Sequence, residues 1–254
     1  MILKITHFVL FVTISLITSC SKSPKKLSKI EGKQIPIESN YSEPDSINNY
    51  IKPYRNRINN VLDSTLAYAT HKISKQDGTH NTSAGNLMAD IIYLQANPIF
   101  KSRTKKNIDF VLLNHGGIRS IISKGPVTAR TAYEVMPFEN TVVVAELNGK
   151  SILDLIQYLI NSKRAHPLSG AQIILDKNNQ LKTLNIQGKP FNPNRTYFVA
   201  TSNYLVNGGD NMGFFKDGIS ITETDYKIRN AIIDYFKKVD TLSPKVDNRY
   251  YKTK

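Results

Sequence analysis

Cysteine is almost absent from this chain of 254 residues, which contains only Cys20. A disulfide needs two cysteines, so no bridge can form within the chain. The apolar run at residues 8 to 17 is about half as long as a helix needs to cross a bilayer. Hydrophobic residues make up 40% of the sequence, which is enough for one sizeable core or two small ones.

The N-terminal segment has the pattern of an export signal. Lys4 precedes the apolar run, and small residues lead to the cysteine in "ITSC" at residues 17 to 20. A charged start, a short apolar stretch and a small-residue cut site are typical of a secretory signal. "ITSC" resembles a bacterial lipobox, in which the cysteine becomes the lipidated first residue of the mature protein. We predict a signal peptide at residues 1–19 and a lipid on Cys20. An uncleaved anchor helix is the alternative, and both place the protein outside the cytoplasm and at a membrane.

Positive charge dominates the sequence. The formal net charge is +14, and it falls to +13 when Lys4, the one charged residue of the signal, is removed. A basic exported protein meets anionic lipids, nucleic acid or phosphorylated small molecules, and charge alone does not choose among them. The basic runs "KSPKK" after Cys20 and "KSRTKK" at residues 101 to 106 are short and far apart. We interpret them as solvated tether or loop segments rather than nucleic-acid contacts.

The first ordered elements are expected near Asp45. Residues 20–44 are rich in Ser, Lys and Pro without periodicity, which predicts a flexible tether. Apolar residues at steps of three and four between residues 47 and 66 predict an amphipathic helix. A second helix is predicted at residues 86 to 97, with Leu87, Ile91 and Leu94 on one face. The apolar run at residues 108 to 113 predicts a buried strand.

Helices and strands continue to interleave along the rest of the chain. Thr128 can cap a short helix that ends at the Met136 to Pro137 step. "TVVVAEL" predicts a strand, and Asn148 and Gly149 then turn the chain into a helix. Further strands are predicted at "AQIILD", "LKTLNIQG" and "TYFVATSNYL", and a last helix at residues 225 to 238. The expected class is α+β, in one domain over residues 45–254.

Two adjacent glycines follow the strand in "LLNHGGIRS" at residues 112 to 120. Asn114, Gly116 and Gly117 can form a turn whose backbone N–H groups are open to a ligand, because glycine has no side chain to block the approach. Arg119 then supplies a planar cation suited to carboxylate or phosphate oxygens. A plain turn with a surface arginine is the alternative.

Two other segments carry aromatic and acidic candidates. In "EVMPFEN", a proline fixes the backbone just before Phe138 and so restrains the direction of its ring. In "TSNYLVNGGDNMGFF", Tyr204 is followed by Gly208, Gly209 and Asp210. A carboxylate held after a glycine turn can accept two hydrogen bonds from a vicinal diol such as ribose. Taken singly, the two rings would be core aromatics and Asp210 a turn residue.

Together, and in this order, the segments resemble the C-terminal domain of the 5'-nucleotidase family, which also includes UDP-sugar hydrolases and 2',3'-cyclic-nucleotide phosphodiesterases. The matching motifs are "AGNLMAD", "NHGGIR", "PFEN", "LNGK" and "NYLVNGGD", and the resemblance covers about residues 45 to 245. It implies a layered α/β/β/α fold. It also implies a nucleotide-binding domain that holds the base between two aromatic rings.

The resemblance assigns a role to each matching residue. It implies base stacking on Phe138 and Tyr204, a base contact from Asn114, a phosphate or ribose contact from Arg119, and the ribose diol on Asp210. The glycines of the two turns complete the predicted substrate-binding set: Gly116, Gly117, Gly208 and Gly209. Phenylalanine is common where this chain has Tyr204, and stacking is retained because the π face remains.

The chain departs from the family pattern in two places. Family members usually carry a phosphate-contacting arginine shortly before the G-N-L segment, where this chain has Gly78 or His80. One cationic phosphate contact is therefore expected to be weak or missing. Full-length relatives also have a metallophosphoesterase domain with motifs such as D-x-H, G-N-H-D or G-N-H-E, and H-x-H. None of the five histidines here lies in such a motif: His7, His71, His80, His115 and His166. We therefore expect no catalytic residue, metal or cofactor in this chain, and divalent metals on a partner.

The resemblance implies a nucleotide-recognition domain of a two-part 5'-nucleotidase. It would be carried on a lipoprotein of the bacterial cell envelope, facing the periplasm, and act in nucleotide hydrolysis with a separately encoded metallophosphoesterase. A nucleoside- or nucleotide-binding lipoprotein without catalysis is a second hypothesis. A general anion or nucleic-acid binder driven by charge is a third.

Overall fold

The structure is a computed structural model that describes residues 2–17, 26–36, 38, 42 and 44–253. The chain divides into two units, Met1–Tyr50 and Ile51–Lys254. Helix α1 (Ile2–Ile17) belongs to the first unit. Within the described ranges, no helix combines the length and apolar character needed to cross a membrane. The predicted lipidation site, Cys20, lies outside the described residues.

Helices and strands are mixed along the rest of the chain, and five strands follow one another between residues 168 and 202. The other helices are α2 (Asp45–Leu62), α3 (Ser83–Thr104), α4 (Ala129–Val135), α5 (Gly149–Asn161), α6 (Asn203–Val206) and α7 (Ile228–Phe236). The strands are β1 (Thr65–Ala69), β2 (Phe110–Leu112), β3 (Gly125–Thr128), β4 (Thr141–Leu147), β5 (Leu168–Ser169), β6 (Ala171–Leu175), β7 (Leu181–Ile186), β8 (Lys189–Pro190), β9 (Tyr197–Ser202), β10 (Ser220–Lys227), β11 (Thr241–Leu242) and β12 (Tyr250–Lys252).

A five-stranded sheet forms the centre of the second unit, with strand order β10-β4-β9-β2-β5. Strand β4 is antiparallel to both β10 and β9, whereas β2 and β9 are parallel. A four-stranded sheet has the order β12-β6-β7-β8, and a smaller sheet has the order β11-β1-β3. The parallel pairing in a largely antiparallel sheet places the ends of β2 and β9 side by side.

Strand β4 shows how the central sheet separates two apolar cores. Val142 and Val144 pack into a core with residues of α3 and α7. Val143 and Ala145 pack into a core with residues of α5 and the four-stranded sheet. Successive side chains of a strand point to opposite faces, so a strand covered on both faces is apolar throughout. The predicted α+β class and its layered arrangement are confirmed.

Two helix starts agree with the sequence predictions. The Thr128 side chain accepts a hydrogen bond from the Thr131 backbone N–H in a capping box, and α4 ends at Val135, just before the step to Pro137. Asn148 caps α5 by accepting from the backbone N–H of Ser151 at 2.9 Å. These caps fix the starts of α4 and α5, and Phe138 lies in the segment between α4 and β4.

Some element boundaries and the orientation of one side chain differ from the predictions. Leu66 was expected in the first helix, but α2 ends at Leu62 and Leu66 lies in β1, whose partners β3 and β11 are distant in sequence. Leu94 was expected on the buried face of α3 and is 54% exposed. The buried stripe of α3 passes through Ile91 and Ile92 and on to residues 95 and 96, so Leu94 points away from it. The start of the last predicted helix belongs to β10, and α7 begins at Ile228.

Candidate functional site

The candidate site lies at one edge of the central sheet. Because β2 and β9 are parallel and adjacent, the segments that follow them leave the sheet at the same end. Strand β4 is antiparallel to β9, and Val142 near its start is paired with Ser202 at the end of β9. The segment before β4 therefore meets the segments after β2 and β9. This topology brings together the three sequence motifs that carry the predicted site residues.

A cavity of about 340 Å³ lies at this edge. Its lining residues are Asn114, Gly116, Gly117, Arg119, Phe138, Asn140, Arg164, Tyr204 and Asp210. Every predicted site residue except Gly208 and Gly209 is among them. Asn140 and Arg164 are additions: Asn140 is the last residue of the quoted "PFEN" motif, whereas Arg164 lies in a loop that none of the motifs includes.

Larger clefts of about 530 and 470 Å³ lie elsewhere on the second unit. In the 470 Å³ cleft, the ring of Phe198 is covered by the Lys106 ammonium at 4.6 Å, and Asp109 accepts from Arg195 at 2.6 Å. In the 530 Å³ cleft, Arg249 is paired with Asp247 at 2.8 Å. These groups are engaged within the protein, and neither cleft is lined by any of the predicted substrate-binding residues, which favours the smaller cavity as the ligand site.

The Asp210 carboxylate is oriented by two side chains. Its Oδ2 accepts from Asn114 Nδ2 at 2.9 Å, and its Oδ1 accepts from the Tyr204 hydroxyl at 3.1 Å. The Tyr158 hydroxyl also donates to the Asp210 backbone carbonyl at 2.9 Å, which supports a backbone with φ of 50°. Each carboxylate oxygen can accept more than one hydrogen bond, so capacity remains for a diol.

Tyr204 is carried by the short helix α6 rather than by the predicted strand, which ends at Ser202. Its ring lies directly against Gly209. A Cβ atom at position 209 would lie 2.4 to 2.6 Å from three ring atoms of Tyr204, closer than real Cβ contacts. Gly209 therefore shapes the cavity indirectly, by leaving room for the ring.

Both predicted stacking rings are accessible. Phe138 is 38% exposed and Tyr204 is 44% exposed, so neither is a core residue. Pro137 and Phe138 lie in the short segment between α4 and β4, so the ring is held between two anchored elements. The interpretation of these rings as core aromatics is therefore wrong, and their base-stacking role stays a prediction.

The glycine turn after β2 forms another part of the cavity wall. His115, Gly116 and Gly117 form a single 3₁₀ turn, and a Cβ at position 117 would lie 2.9 Å from Asn114 Oδ1. Glycine thus leaves room for the Asn114 amide that orients Asp210. The Arg119 guanidinium carbon lies 5.8 Å from the centre of the Phe138 ring, within cation–π range.

A buried histidine, His166, accepts a hydrogen bond from the backbone of this turn. The His115 backbone N–H donates to His166 Nδ1 at 3.3 Å, and His166 Nε2 lies 3.0 Å from the Ser162 hydroxyl. Burial, with a further contribution from the His115 ring, lowers the pKa of His166 to about 4. Since Nδ1 accepts, Nε2 carries the hydrogen of the neutral ring and donates to Ser162. His166 is a structural support of the site.

The "AGNLMAD" motif lies away from the cavity. Asn86 Nδ2 donates to Asn81 Oδ1 at 2.8 Å and to the Lys245 carbonyl at 2.9 Å. Asp90 accepts two hydrogen bonds from Arg249, at 2.9 and 3.0 Å. The polar residues of this motif therefore tie α3 to the C-terminal segment.

The position of the missing family arginine also lies outside the cavity lining. Among the two candidate residues, His80 packs against the Tyr250 ring at 4.8 Å between centroids. A Cβ at Gly78 would lie 2.1 Å from the Asn81 carbonyl oxygen, so this position has no room for a side chain.

Among the residues that the structure describes, no three His, Cys, Asp or Glu side chains are grouped as a metal site would require.

Comparison with known proteins identifies the family. The family described as "5'-nucleotidase, C-terminal domain" matches residues 55–217, and the chain belongs to it. The trifunctional nucleotide phosphoesterase protein YfkN of Bacillus subtilis is 28% identical over 233 residues, which cover 85% of this chain and 16% of that protein. The protein UshA of Escherichia coli is 29% identical over 141 residues, covering 54% of this chain and 26% of UshA.

A solved structure shows the same fold. The 5'-nucleotidase precursor of Thermus thermophilus superposes with a TM-score of 0.68 at 23% identity, covering 82% of this chain and 42% of that structure. The chain thus spans less than half the length of each of these three relatives. The predicted family and fold are confirmed, and the ligand roles of individual residues stay predictions.

Proposed function

We propose that this chain binds a nucleoside or nucleotide in the cavity at the edge of the central sheet. Phe138 and Tyr204 hold the base, and Asp210 accepts hydrogen bonds from the ribose diol. The observation that carries the proposal is the convergence of these three residues with Asn114 and Arg119 on one cavity of about 340 Å³. That volume is in the usual range for small-molecule sites.

The orientation of Asp210 supports the ribose assignment. Asn114 and Tyr204 each donate to a different carboxylate oxygen, so the carboxylate plane is fixed before a ligand arrives. A group that is already oriented loses less conformational entropy when it binds. The Tyr204 hydroxyl that orients Asp210 belongs to one of the proposed stacking rings. A shift of that ring would therefore change both the base contact and the ribose contact.

We further propose that the chain serves nucleotide hydrolysis by presenting its ligand to a separate metallophosphoesterase. The similarity to a nucleotide phosphoesterase and the membership of the 5'-nucleotidase C-terminal domain family support this role. Divalent metals on that partner would activate water and stabilise charge on the phosphoryl group. This chain would contribute the positioning of the reactant. A lipid on Cys20 would hold the complex at the cell envelope, facing the periplasm.

Binding to nucleosides tests the proposal. The full-length chain, purified in a mild detergent, is titrated with adenosine, guanosine, cytidine and uridine, together with the Phe138→Ala and Tyr204→Ala variants. Each variant removes one stacking surface, worth about 1–3 kcal/mol. We therefore expect a loss of roughly five- to 150-fold in nucleoside affinity. The matched control is Tyr68→Ala, since Tyr68 is 46% exposed and lies on β1, away from the cavity.

Melting temperatures measured on the same samples separate binding from folding. Folded Phe138→Ala and Tyr204→Ala proteins with wild-type affinity would refute the assignment of the cavity as the nucleoside site.

A second assay measures hydrolysis of 5'-nucleotides by a metallophosphoesterase from the same cell, with and without this chain. Stimulation supports the two-part enzyme, whereas nucleoside binding without stimulation favours a binding lipoprotein that does not take part in catalysis.

A further inference from the structure

The Phe138 segment, residues 138 to 140, is held from the start of α7. Arg229 Nη1 donates to the backbone carbonyl of Phe138 at 3.2 Å, and the same guanidinium pairs with the Glu139 carboxylate. The backbone N–H of Ile228 donates to the carbonyl of Asn140 at 3.0 Å. A shift of this segment would therefore break its contacts with two consecutive residues of a helix that is distant in sequence.

Arg229 is almost fully buried, which is costly for a cation. It is 5% exposed, and its guanidinium carbon lies 4.2 Å from the centre of the Tyr133 ring on α4. Its Nε atom has no hydrogen-bond partner among the residues that the structure describes. A buried donor without a partner lowers stability, and apolar side chains of similar volume are often at least as stable as a buried ion pair. Stability alone is therefore a poor reason for an arginine here, and its contacts with residues 138 and 139 give a better one.

A second cation strengthens the hold on Glu139. Lys227 Nζ lies 2.5 Å from Glu139 Oε2, whereas Arg229 contacts the other carboxylate oxygen. Hydrogen bonds from Arg229 and then from Lys227 lower the pKa of this carboxyl to about 2. The carboxylate is therefore charged near neutral pH, where both ion pairs are retained.

One amide oxygen joins the two segments that carry the rings. Asn203 Oδ1 accepts from the backbone N–H of Thr141 at 3.1 Å and from the backbone N–H of Tyr204 at 2.9 Å. Both partners are donors, so the oxygen of the amide must face them. Thr141 begins β4 directly after the Phe138 segment, and Tyr204 carries the other ring. Asn203 therefore couples the end of the Phe138 segment to the Tyr204 backbone.

We propose that Asn203 and Arg229 are positioning residues that hold the Phe138 and Tyr204 rings at the separation that a planar base needs. The inference rests on the proposed function, since neither residue lines the cavity and both act through the rings. A base makes van der Waals contact at about 3.5 Å on each face, so the rings must stay roughly 7 Å apart. A gap of about 0.5–1 Å on one side already loses roughly a quarter to a half of the attraction there, so a small movement of either ring would weaken stacking.

Calorimetric titration of the full-length chain in detergent tests both residues. The ligand is whichever of the four ribonucleosides binds most tightly. Arg229→Met replaces the cation with an unbranched apolar side chain, and Asn203→Ala removes the shared acceptor. Each variant should lose about tenfold in affinity, which is about 1.4 kcal/mol. Asn203→Asp keeps an acceptor for both N–H groups and should bind the nucleoside like the wild-type protein.

Controls separate positioning from stability. Arg103 also donates to two backbone carbonyls, at 2.7 and 3.1 Å, but both belong to β10, so Arg103→Met should leave nucleoside affinity unchanged. Asn148→Ala removes the cap of α5 and should lower the melting temperature without changing affinity. In a Phe138→Ala background, Arg229→Met should cause almost no further loss of affinity, because both changes act through one ring.

The outcomes distinguish this inference from the proposed function. If Phe138→Ala and Tyr204→Ala weaken nucleoside binding but Asn203→Ala and Arg229→Met do not, the rings bind the base and the positioning roles are refuted. An equal loss of affinity in Asn148→Ala would also refute them, since it would reflect stability alone. So would a full further loss from Arg229→Met in the Phe138→Ala background. If Arg229→Met does not fold, the comparison of Asn203→Ala with Asn203→Asp decides. If folded wild-type protein binds no nucleoside, both proposals fail.

Discussion

Replacing Gly209 with alanine should damage the site by displacing the Tyr204 ring, because Gly209 itself lies outside the cavity lining. The new Cβ would lie 2.4 Å from Tyr204 Cε1, 2.5 Å from Cζ and 2.6 Å from Cδ1. Carbon atoms in ordinary van der Waals contact are about 3.5 Å apart, so the ring must move by roughly 1 Å. Tyr204 is partly exposed, so its ring can rotate toward solvent, and the fold should survive.

The displaced ring should weaken binding in two ways. It would move from its position beside the cavity, and its hydroxyl would leave Asp210 Oδ1, which it now contacts at 3.1 Å. Loss of one stacking surface costs about 1–3 kcal/mol. Gly209→Ala should therefore reduce nucleoside affinity by roughly five- to 150-fold, as Tyr204→Ala does, with little change in melting temperature.

Calorimetry with a matched glycine control checks this mechanism. Gly213 lies four residues further along, and a Cβ there would meet no atom within 4 Å. Gly213→Ala should bind nucleosides like the wild-type protein. In a double-mutant cycle, Gly209→Ala should cost almost nothing in a Tyr204→Ala background, because both changes act through one ring.

Either of two results would refute this reasoning. Wild-type nucleoside affinity in Gly209→Ala would show that the position of the Tyr204 ring does not matter for binding. Fully additive losses in the double variant would show that Gly209 acts through some other group.

The remaining predictions concern pH and attachment to the membrane. His166 has a pKa of about 4 in the folded protein and an ordinary value of 6.5. Between these values the unfolded chain binds the extra proton, so the free energy of unfolding should fall as pH drops from 6.5 to 4, by roughly 3 kcal/mol at most. Urea denaturation should show this fall, and His166→Asn should reduce it; an equal fall in the variant would contradict the assignment. Cys20→Ser should abolish acyl labelling and release the protein from the membrane fraction, and persistent labelling would refute the lipobox interpretation.

The parts of the fold that could be predicted depend on local chemistry. Thr128 and Asn148 start helices through their own side chains, and the apolar run of β4 reflects a strand buried on both faces. The site motifs were recognisable through their resemblance to the family. Phe138 and Asp210 were assigned to one site on that basis, and both line the same cavity.

The missed features depend on contacts between distant segments. Leu66 has a helical spacing from its predecessors, yet pairing of β1 with β3 and β11 places it in a strand. Leu94 has a helical spacing from Leu87 and Ile91, yet the buried face of α3 does not include it, so its side chain is exposed. Arg164 has no motif around it, and its place in the cavity depends on where α5 ends.

The central claim is that one base lies between two rings, and nuclear Overhauser effects test it most directly. The full-length chain, with labelled phenylalanine and tyrosine rings, is saturated with the ribonucleoside that binds most tightly. The account predicts effects from the base protons to the ring protons of both Phe138 and Tyr204, assigned by loss of the corresponding signals in Phe138→Leu and Tyr204→Leu. Saturable binding with no effect to either ring would contradict the account.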